Sequence, residues 1–223
     1  MNLDRAHANY FQNYYSNRSA EYVSGKDLDN KRGYLLYRRF IDLVMAFFAL
    51  IIVSPVILIT AILIKLESKG PAFFFQERSG LNGKTFNIIK LRSMTIDAEK
   101  NGPQWAAKND MRVTKIGKFI RKTRIDELPQ LINVIKGEMS IIGPRPERPV
   151  FVEQFSKEIP GFENRLLVKP GLSGWAQVNG GYDITPEEKL KYDLYYIKNM
   201  NVKLDMKIIY KTIKVVFTGD GAR

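Results

Sequence analysis

The chain has 223 residues, with 35 Lys and Arg against 23 Asp and Glu, no cysteine, one histidine, and a formal net charge of +12. Disulfides, thiolate nucleophiles and cysteine zinc sites are excluded, and with only His7, in a polar N-terminal stretch, histidine bases and histidine metal clusters are disfavoured. Carboxylates remain as the leading chemical groups, with Lys and Arg as electrostatic helpers and a hard cation such as magnesium as the metal that carboxylates alone can hold, while the basic excess points to nucleic acid, anionic lipid or phosphorylated substrates.

Residues 1–34 are polar and weakly patterned and read as a loop-rich arm. From Leu43 to Ile64, "LVMAFFALIIVSPVILITAILI" carries no charge over about 22 residues, enough for a bilayer at roughly 20. A buried helix of a soluble protein is the plainer reading, and the length argues against it. Ser54-Pro55 interrupts the run: proline removes a backbone donor and crowds the carbonyl of Ile51, so a kink is expected, eased by the Ser54 hydroxyl. Each half is then about 16 Å long, matching one leaflet. Basic residues flank both ends, Lys31, Arg32, Arg38 and Arg39 before, Lys65, Lys69 and Arg78 after. Positive residues prefer the cytoplasmic side, so a re-entrant helix that dips in and returns satisfies both flanks, whereas a kinked span puts one of them outside. The expected organisation is therefore a polar arm over 1–34, a re-entrant membrane helix-break-helix over 35–67, and a cytosolic domain over 68–223.

Beyond the membrane run, "AFFFQERSGLNGKTFNIIKL" reads as two strands around an Asn82-Gly83 turn, and "TKIGKFIRK" at 114–122 as a short basic helix. Asp126 is placed as the N-cap of a helix with Leu128, Leu131, Ile132 and Ile135 as its apolar stripe and Gly137 as its stop. "VKPGLSGWAQV" at 168–178 reads as a glycine-rich loop entering a strand. Thr185, Pro186 and Glu188 spell a capping box. A last helix over roughly 203–217 places Lys203, Lys207, Lys211 and Lys214 on one face and Ile209, Ile213 and Val216 on another, a pattern shared by interfacial and core-packing helices.

The chemistry concentrates in "RIDELPQLINVIKGEMSIIGPRPE", residues 124–147. Asp126 and Glu127 have a structural reading as cap and first-turn acid. That reading is compatible with catalysis, because a carboxylate facing the positive end of a helix stays ionised and can attack phosphorus, and its neighbour can hold a cation or move a proton. "KLRSM" brings together Lys90, Arg92 and Ser93, and "GPRPE" holds Arg145 in a stiff turn preset for bidentate contact. Each fragment alone is explained as well by a surface cation or a turn.

In order, these motifs resemble the bacterial sugar transferase family, the monotopic phosphoglycosyl transferases, over about residues 31–218, and "DELPQL…GEMSIIGPRPE" is the specific run. Departures are Asp110-Met111-Arg112, where many members read Asp-Pro-Arg, and Gly181, where Arg is frequent; the sequence reads as a short form. The resemblance implies transfer of a sugar 1-phosphate from a UDP-sugar to undecaprenyl phosphate with release of UMP. It implies Asp126 as nucleophile, forming an aspartyl-phosphosugar, and Glu127 as dyad partner. Magnesium is the implied cofactor, with Asp126 and Glu127 its protein ligands. Lys90, Arg92, Ser93, Arg112 and Arg145 are the candidates for phosphate or substrate binding, and Ser54 and Pro55 mark the membrane break. The implied location is the cytoplasmic face of the bacterial inner membrane, in contact with its lipid, with no nucleic-acid partner; a homo-oligomer stays open. The fold expected is mixed α/β: mostly helical, a small sheet or hairpin, the kinked membrane helix and interfacial amphipathic helices. A competing class, a membrane-tethered module binding anionic lipid or nucleic acid without catalysis, accounts for the charge and the lysine face but gives no role to the Asp-Glu pair. A non-catalytic scaffold in glycan export is a third, and direct single displacement is the alternative mechanism within enzymes.

Overall fold

The computed structural model describes residues 28, 30–98, 100, 110–180 and 184–218, without the side chains of 216–218. The expected arm falls almost wholly outside them, as do Gly181 and His7.

Helix α1 runs over Arg32–Glu67 with Pro55 inside it, and Ser54 Oγ donates to the Ile51 carbonyl at 2.8 Å, taking up an acceptor that the proline leaves without its donor. Its buried residues, Arg38, Asp42, Ala46, Thr60 and Ile64, fall at helical spacing on one stripe. Around the rest of the helix Phe40, Phe47, Phe48, Ile51, Ile52 and Leu58 are exposed, and a chain avoids leaving such a face in water.

Strands β1 (Phe73–Ser79) and β2 (Thr85–Leu91) form an antiparallel hairpin with Phe73 opposite Leu91 and Ser79 opposite Thr85. Asn82 and Gly83 both take positive φ in the connecting loop, as the residue types there permit. Helix α2 (Lys115–Lys122) is capped twice: Thr114 Oγ1 accepts from Gly117 N, and the Glu67 carboxylate at the end of α1 accepts from Lys115 N and Ile116 N. Gly117 is required there, since a Cβ would stand 1.9 Å from the Ser93 carbonyl oxygen. A 3-10 turn, Ile125–Gln130, leads directly into α3 (Leu131–Lys136), which ends at Gly137 with φ 86.

Then follow β3 (Ser140–Ile142), α4 (Pro149–Glu158), a 3-10 turn at Phe162–Leu167, β4 (Gly171–Ser173), α5 (Trp175–Asn179), α6 (Pro186–Asn199) and α7 (Val202–Thr218). β3 and β4 pair in parallel. The class is mixed α/β, mostly helical, as the sequence suggests. The capping box at Thr185 and Glu188 forms as expected.

Three expectations change. "WAQV" is the helix α5, not a strand, because β4 ends at Ser173 after its short pairing with β3. On α7 the buried residue is Ile208, with Ile209 partly buried and Ile213 exposed; the helix turns its Leu204–Ile208 side to the core, and the side chain of Val216 lies outside the described residues. Asp126 is not a cap either: the turn starts at Ile125 with Arg124 before it in the left-handed region, φ 56, and Asp126 accepts no backbone hydrogen bond.

Three apolar clusters hold these elements. Phe155, Phe162, Trp175, Leu194, Ile197 and Ile208 unite α4 to α7; Ala46 packs with Leu131, Val134 and Met139; Ile64 packs with Ala72, Leu91 and Ile120. Both ends of α1 are thereby fixed to one body, the first through Arg38 and Asp42 at Ser140 and the second through Ile64 at Leu91 and Ile120.

Candidate active site

The site is built where the 3-10 turn of Asp126 meets the hairpin and the loop after β3. Asn133 of α3, fully buried, receives Ile89 N on its Oδ1 at 3.0 Å and donates from Nδ2 to the Asn87 carbonyl at 2.8 Å. Those bonds set α3 against β2 and bring Lys90 to the acid pair. Its Nζ stands 3.0 Å from Glu127 Oε1. The second cation arrives from Gly143-Pro144-Arg145-Pro146. Gly143 N donates to Ser173 O, Gly171 N to Pro144 O and Arg165 Nη2 to Arg145 O, all at 2.8 to 2.9 Å, so this loop is laced to β4 and to the Phe162–Leu167 turn. A Cβ at Gly171 would lie 2.0 Å from Gly143 N, which is why the approach needs glycine. Arg145 then reaches Glu127, Nη2 at 2.5 Å from Oε1 and Nη1 at 3.4 Å from Oε2.

The two carboxylates have opposite electrostatics. Burial disfavours the charge on Glu127, but Arg145 and Lys90 overcome it and hold the acid well below its ordinary range. Asp126 is pushed up to about 6, first by burial and then by the Glu127 charge, against the pull of Lys90, Arg145 and Arg121. It is 7% exposed and makes no hydrogen bond among the described residues. One acid is thus locked by two cations while its neighbour keeps its oxygens uncommitted, desolvated and more basic than usual.

Of the residues picked from sequence, Asp126, Glu127, Lys90 and Arg145 come together. The other three hold the surroundings. Arg92 donates to the Ser68 and Lys69 carbonyls and to Ser68 Oγ, at 2.6 to 2.8 Å, and so fixes the end of α1. The Ser93 carbonyl accepts from Thr114 N at 3.1 Å, ahead of α2. Arg112 forks onto Asp110, with Nε at 2.8 Å from Oδ1 and Nη2 at 2.5 Å from Oδ2, and this pairing holds Asp110 below its ordinary range. The charge pair of "DMR" is therefore kept without the proline.

Sequence reading misses a buttress behind Arg145. Glu147 is surrounded by Lys189, in hydrogen-bond contact, and by Arg78 and Arg165 at 3.8 Å, while Arg165 also pairs with buried Asp193 at 2.7 Å. These partners come from β1, the Phe162–Leu167 turn and α6, and no local spacing announces them. A narrow recess lined by Ser79, Gly80, Arg145, Glu147 and Arg165 borders the buttress and does not include Asp126.

As to a metal, no group of three or more acidic, histidine or cysteine side chains exists among the described residues. Magnesium characteristically takes one or two carboxylates and completes its shell with waters and substrate phosphates. The adjacent pair fits that use, with uncommitted Asp126 the better donor and Glu127 already occupied by cations.

Residues 33–219 match the family model described as bacterial sugar transferase. The chain belongs to the bacterial sugar transferase family. An Aeromonas hydrophila relative, a UDP-N-acetylgalactosamine-undecaprenyl-phosphate N-acetylgalactosaminephosphotransferase, is 51% identical over 193 residues, covering 85% of this chain and 46% of its own. The UDP-glucose:undecaprenyl-phosphate glucose-1-phosphate transferase of Escherichia coli (strain K12) is 42% identical over 84% of this chain and 41% of its own. EpsL, an uncharacterized sugar transferase of Bacillus subtilis (strain 168), is 39% identical over 84% of this chain and 90% of its own. This member of the bacterial sugar transferase family thus spans less than half of the first two relatives and matches most of the third. The matched region contains the acid pair, Lys90, Arg145 and the whole buttress.

Proposed function

We propose that this bacterial sugar transferase moves a sugar 1-phosphate from a UDP-sugar to undecaprenyl phosphate, through a covalent intermediate on Asp126. The observation that carries the reading is the contrast within the acid pair: a buried carboxylate with no hydrogen bond stands beside one held by Lys90 and Arg145. A nucleophile must have a lone pair to give, and hydrogen bonds would hold it back.

In the first step an Asp126 oxygen bonds to the β-phosphorus of the UDP-sugar and the bond from that phosphorus to the bridging oxygen of UMP breaks, so UMP departs. In the second, a phosphate oxygen of undecaprenyl phosphate attacks the same phosphorus, Asp126 leaves as carboxylate, and polyprenyl-diphospho-sugar forms. Attack by one anion on another needs positive charge aimed at the phosphoryl oxygens. Arg145 and Lys90 are the cations beside the acid pair that can supply it, and Glu127 orients both and holds them close. Magnesium, when bound by Asp126, Glu127 and the diphosphate, would neutralise charge developing on the phosphate oxygens.

The lipid substrate sets the geography. The exposed apolar face of α1 is read as lying in the bilayer, re-entrant at Ser54-Pro55, with the chain monotopic on the cytoplasmic face of the inner membrane. Attachment of both ends of α1 to the same body supports this, because one body cannot sit on two sides of a membrane. The name of the Aeromonas relative makes UDP-N-acetylgalactosamine the first donor to try. A panel of UDP-sugars with polyprenol phosphate and magnesium, read by UMP release, tests the reading. No release from any donor rejects it, and release without a trappable labelled phosphosugar on the protein favours direct displacement.

A further inference from the structure

A second cationic centre lies away from the acid pair, at the opposite end of α3. Gly137 closes that helix, and a Cβ built on it would stand 3.2 Å from Arg39 Nη2 and 3.6 Å from Lys169 Nζ. Two cations from α1 and from the segment before β4 therefore converge over a bare backbone. Arg39 is fixed there, donating to the Val134 carbonyl at 2.6 Å and to that of Ile135 at 2.9 Å. Lys169 is half-buried and makes no hydrogen bond or ion pair among the described residues. Asp42 is the acid that faces it, and its oxygens are already taken by Ser140 Oγ at 2.6 Å and Ile141 N at 3.1 Å. Arg38, the third cation nearby, is bonded to that same Ser140. Burial, then Arg39, push the Lys169 amine below its ordinary range, against the pull of Asp42.

We propose that Lys169 and Arg39 bind the phosphodiester head group of an anionic phospholipid over Gly137. The argument for a lipid over a soluble anion is depth. On α1, exposed Leu36, Tyr37 and Phe40 flank Arg39 in sequence, and the exposed apolar face beside its stripe continues through Val44, Phe47 and Phe48. A phosphate held by Lys169 and Arg39 would sit at the start of that exposed apolar face of α1, along which acyl chains could lie; a free phosphate has no use for it. A strong hydrogen bond between ionised partners then replaces the repulsion between the two cations. The inference rests on α1 lying in a bilayer as proposed above, and it does not depend on the chemistry assigned to Asp126.

The full chain in neutral detergent tests it, with dioctanoyl phosphatidylglycerol and dioctanoyl phosphatidylcholine as probes, read by thermal melting and by lipid retained in native mass spectrometry. Both lipids carry the phosphodiester, but the choline cation is repelled by Arg39 and Lys169, so the glycerol lipid is expected to bind about tenfold more tightly. Lys169→Gln should remove that preference, Lys169→Arg should keep it, and Lys84→Gln, on the hairpin loop, should leave it unchanged. Equal binding of the two lipids overturns the proposal, as does a preference that survives in Lys169→Gln. Inorganic phosphate reproducing the melting shift also overturns it, by making the site one for a soluble anion. A raised KM for polyprenol phosphate in Lys169→Gln overturns it in favour of a substrate subsite. Absence of UMP release in the donor panel would sink the catalytic reading and leave these lipid measurements standing.

Discussion

Lys90 of the hairpin and Glu127 of the 3-10 turn meet at 3.0 Å, and Arg145 Nη2 reaches the same Glu127 oxygen at 2.5 Å. The pair is partly buried, where charges act on one another more strongly than in water. Lys90→Met leaves Glu127 with Arg145 alone and removes a cation that lowers the pKa of Asp126. UMP release should fall on the order of a hundredfold, as when one electrostatic donor is lost from a reacting centre. The acid limb of its pH profile should move to higher pH, since Asp126 then holds its proton more firmly. Lys189→Met, at the buttress, should leave that limb in place. A pH–rate series on the two variants decides it, and an unmoved limb in Lys90→Met argues against electrostatic coupling to Asp126.

Asp126 also predicts a pH dependence of stability. Its ordinary value is 3.8 and its folded value about 6. Between the two, the folded protein binds a proton that the unfolded chain has released, so this contribution is fully present below 3.8 and is lost as pH rises through 6. The loss amounts to on the order of 3 kcal/mol. Glu127, held well below 4.5 in the fold, is protonated only in the unfolded chain as pH falls past 4.5, so its contribution runs the other way at the low end of this window, in the parent and in an Asp126 variant alike. Asp126→Asn cannot titrate. It should abolish transfer, stay with the membrane fraction, melt higher than the parent chain at pH 7.5, and converge with it toward pH 4. Near-normal turnover in that variant removes the nucleophile assignment.

Much of this site was legible because its residues lie close in sequence. Asp126 and Glu127 are adjacent, and Pro144 and Pro146 frame Arg145. The capping box at Thr185 and the stop at Gly137 are equally local, and both form. The buttress was not legible, because Glu147, Arg165, Lys189 and Arg78 meet only after three elements have packed. The cap at Asp126 failed for a related reason: Arg124 turns into the left-handed region and starts a 3-10 turn, so no backbone N–H is offered to the carboxylate. For α5, a glycine-rich approach and a β-branched residue resemble strand entry, and only the pairing of Ser173 with Ile142 shows where the sheet stops. Arg92 and Arg112 read as phosphate candidates by composition, and sequence cannot say that here they bond the Ser68 and Lys69 carbonyls and Asp110.

Arg165 supplies a prediction about the buttress. Its Nη2 bonds both Asp193 at 2.7 Å and the Arg145 carbonyl at 2.9 Å, and both side chains of the ion pair are almost fully buried. Arg165→Met strands Asp193, whose charge burial already disfavours. The expected cost is about 3–5 kcal/mol, or a melting shift on the order of 10 °C for a chain this long. Arg165→Met combined with Asp193→Leu should recover most of that stability, because an apolar pair replaces the stranded acid. It should not recover UMP release, because the carbonyl of Arg145 stays untethered. Recovery of both would show that Arg165 serves the fold alone.

Topology can be tested cleanly because the chain contains no cysteine. Asn30 and Lys69 are exposed, lie on either side of α1, and are separable by single labels as Asn30→Cys and Lys69→Cys. The helix is long and apolar enough to enter a bilayer, and the attachment of Asp42 to Ser140 and of Ile64 to Ile120 keeps both ends on the same body. A helix that crossed would have to carry one of these contacts through the hydrocarbon, exposing the polar surface of that body to lipid at several kcal/mol per unsatisfied group. Both cysteines should therefore resist a membrane-impermeant maleimide in intact cells and react after lysis. Labelling of one of them in intact cells would replace the re-entrant helix with a span and force the contacts at that end of α1 to be abandoned in the membrane.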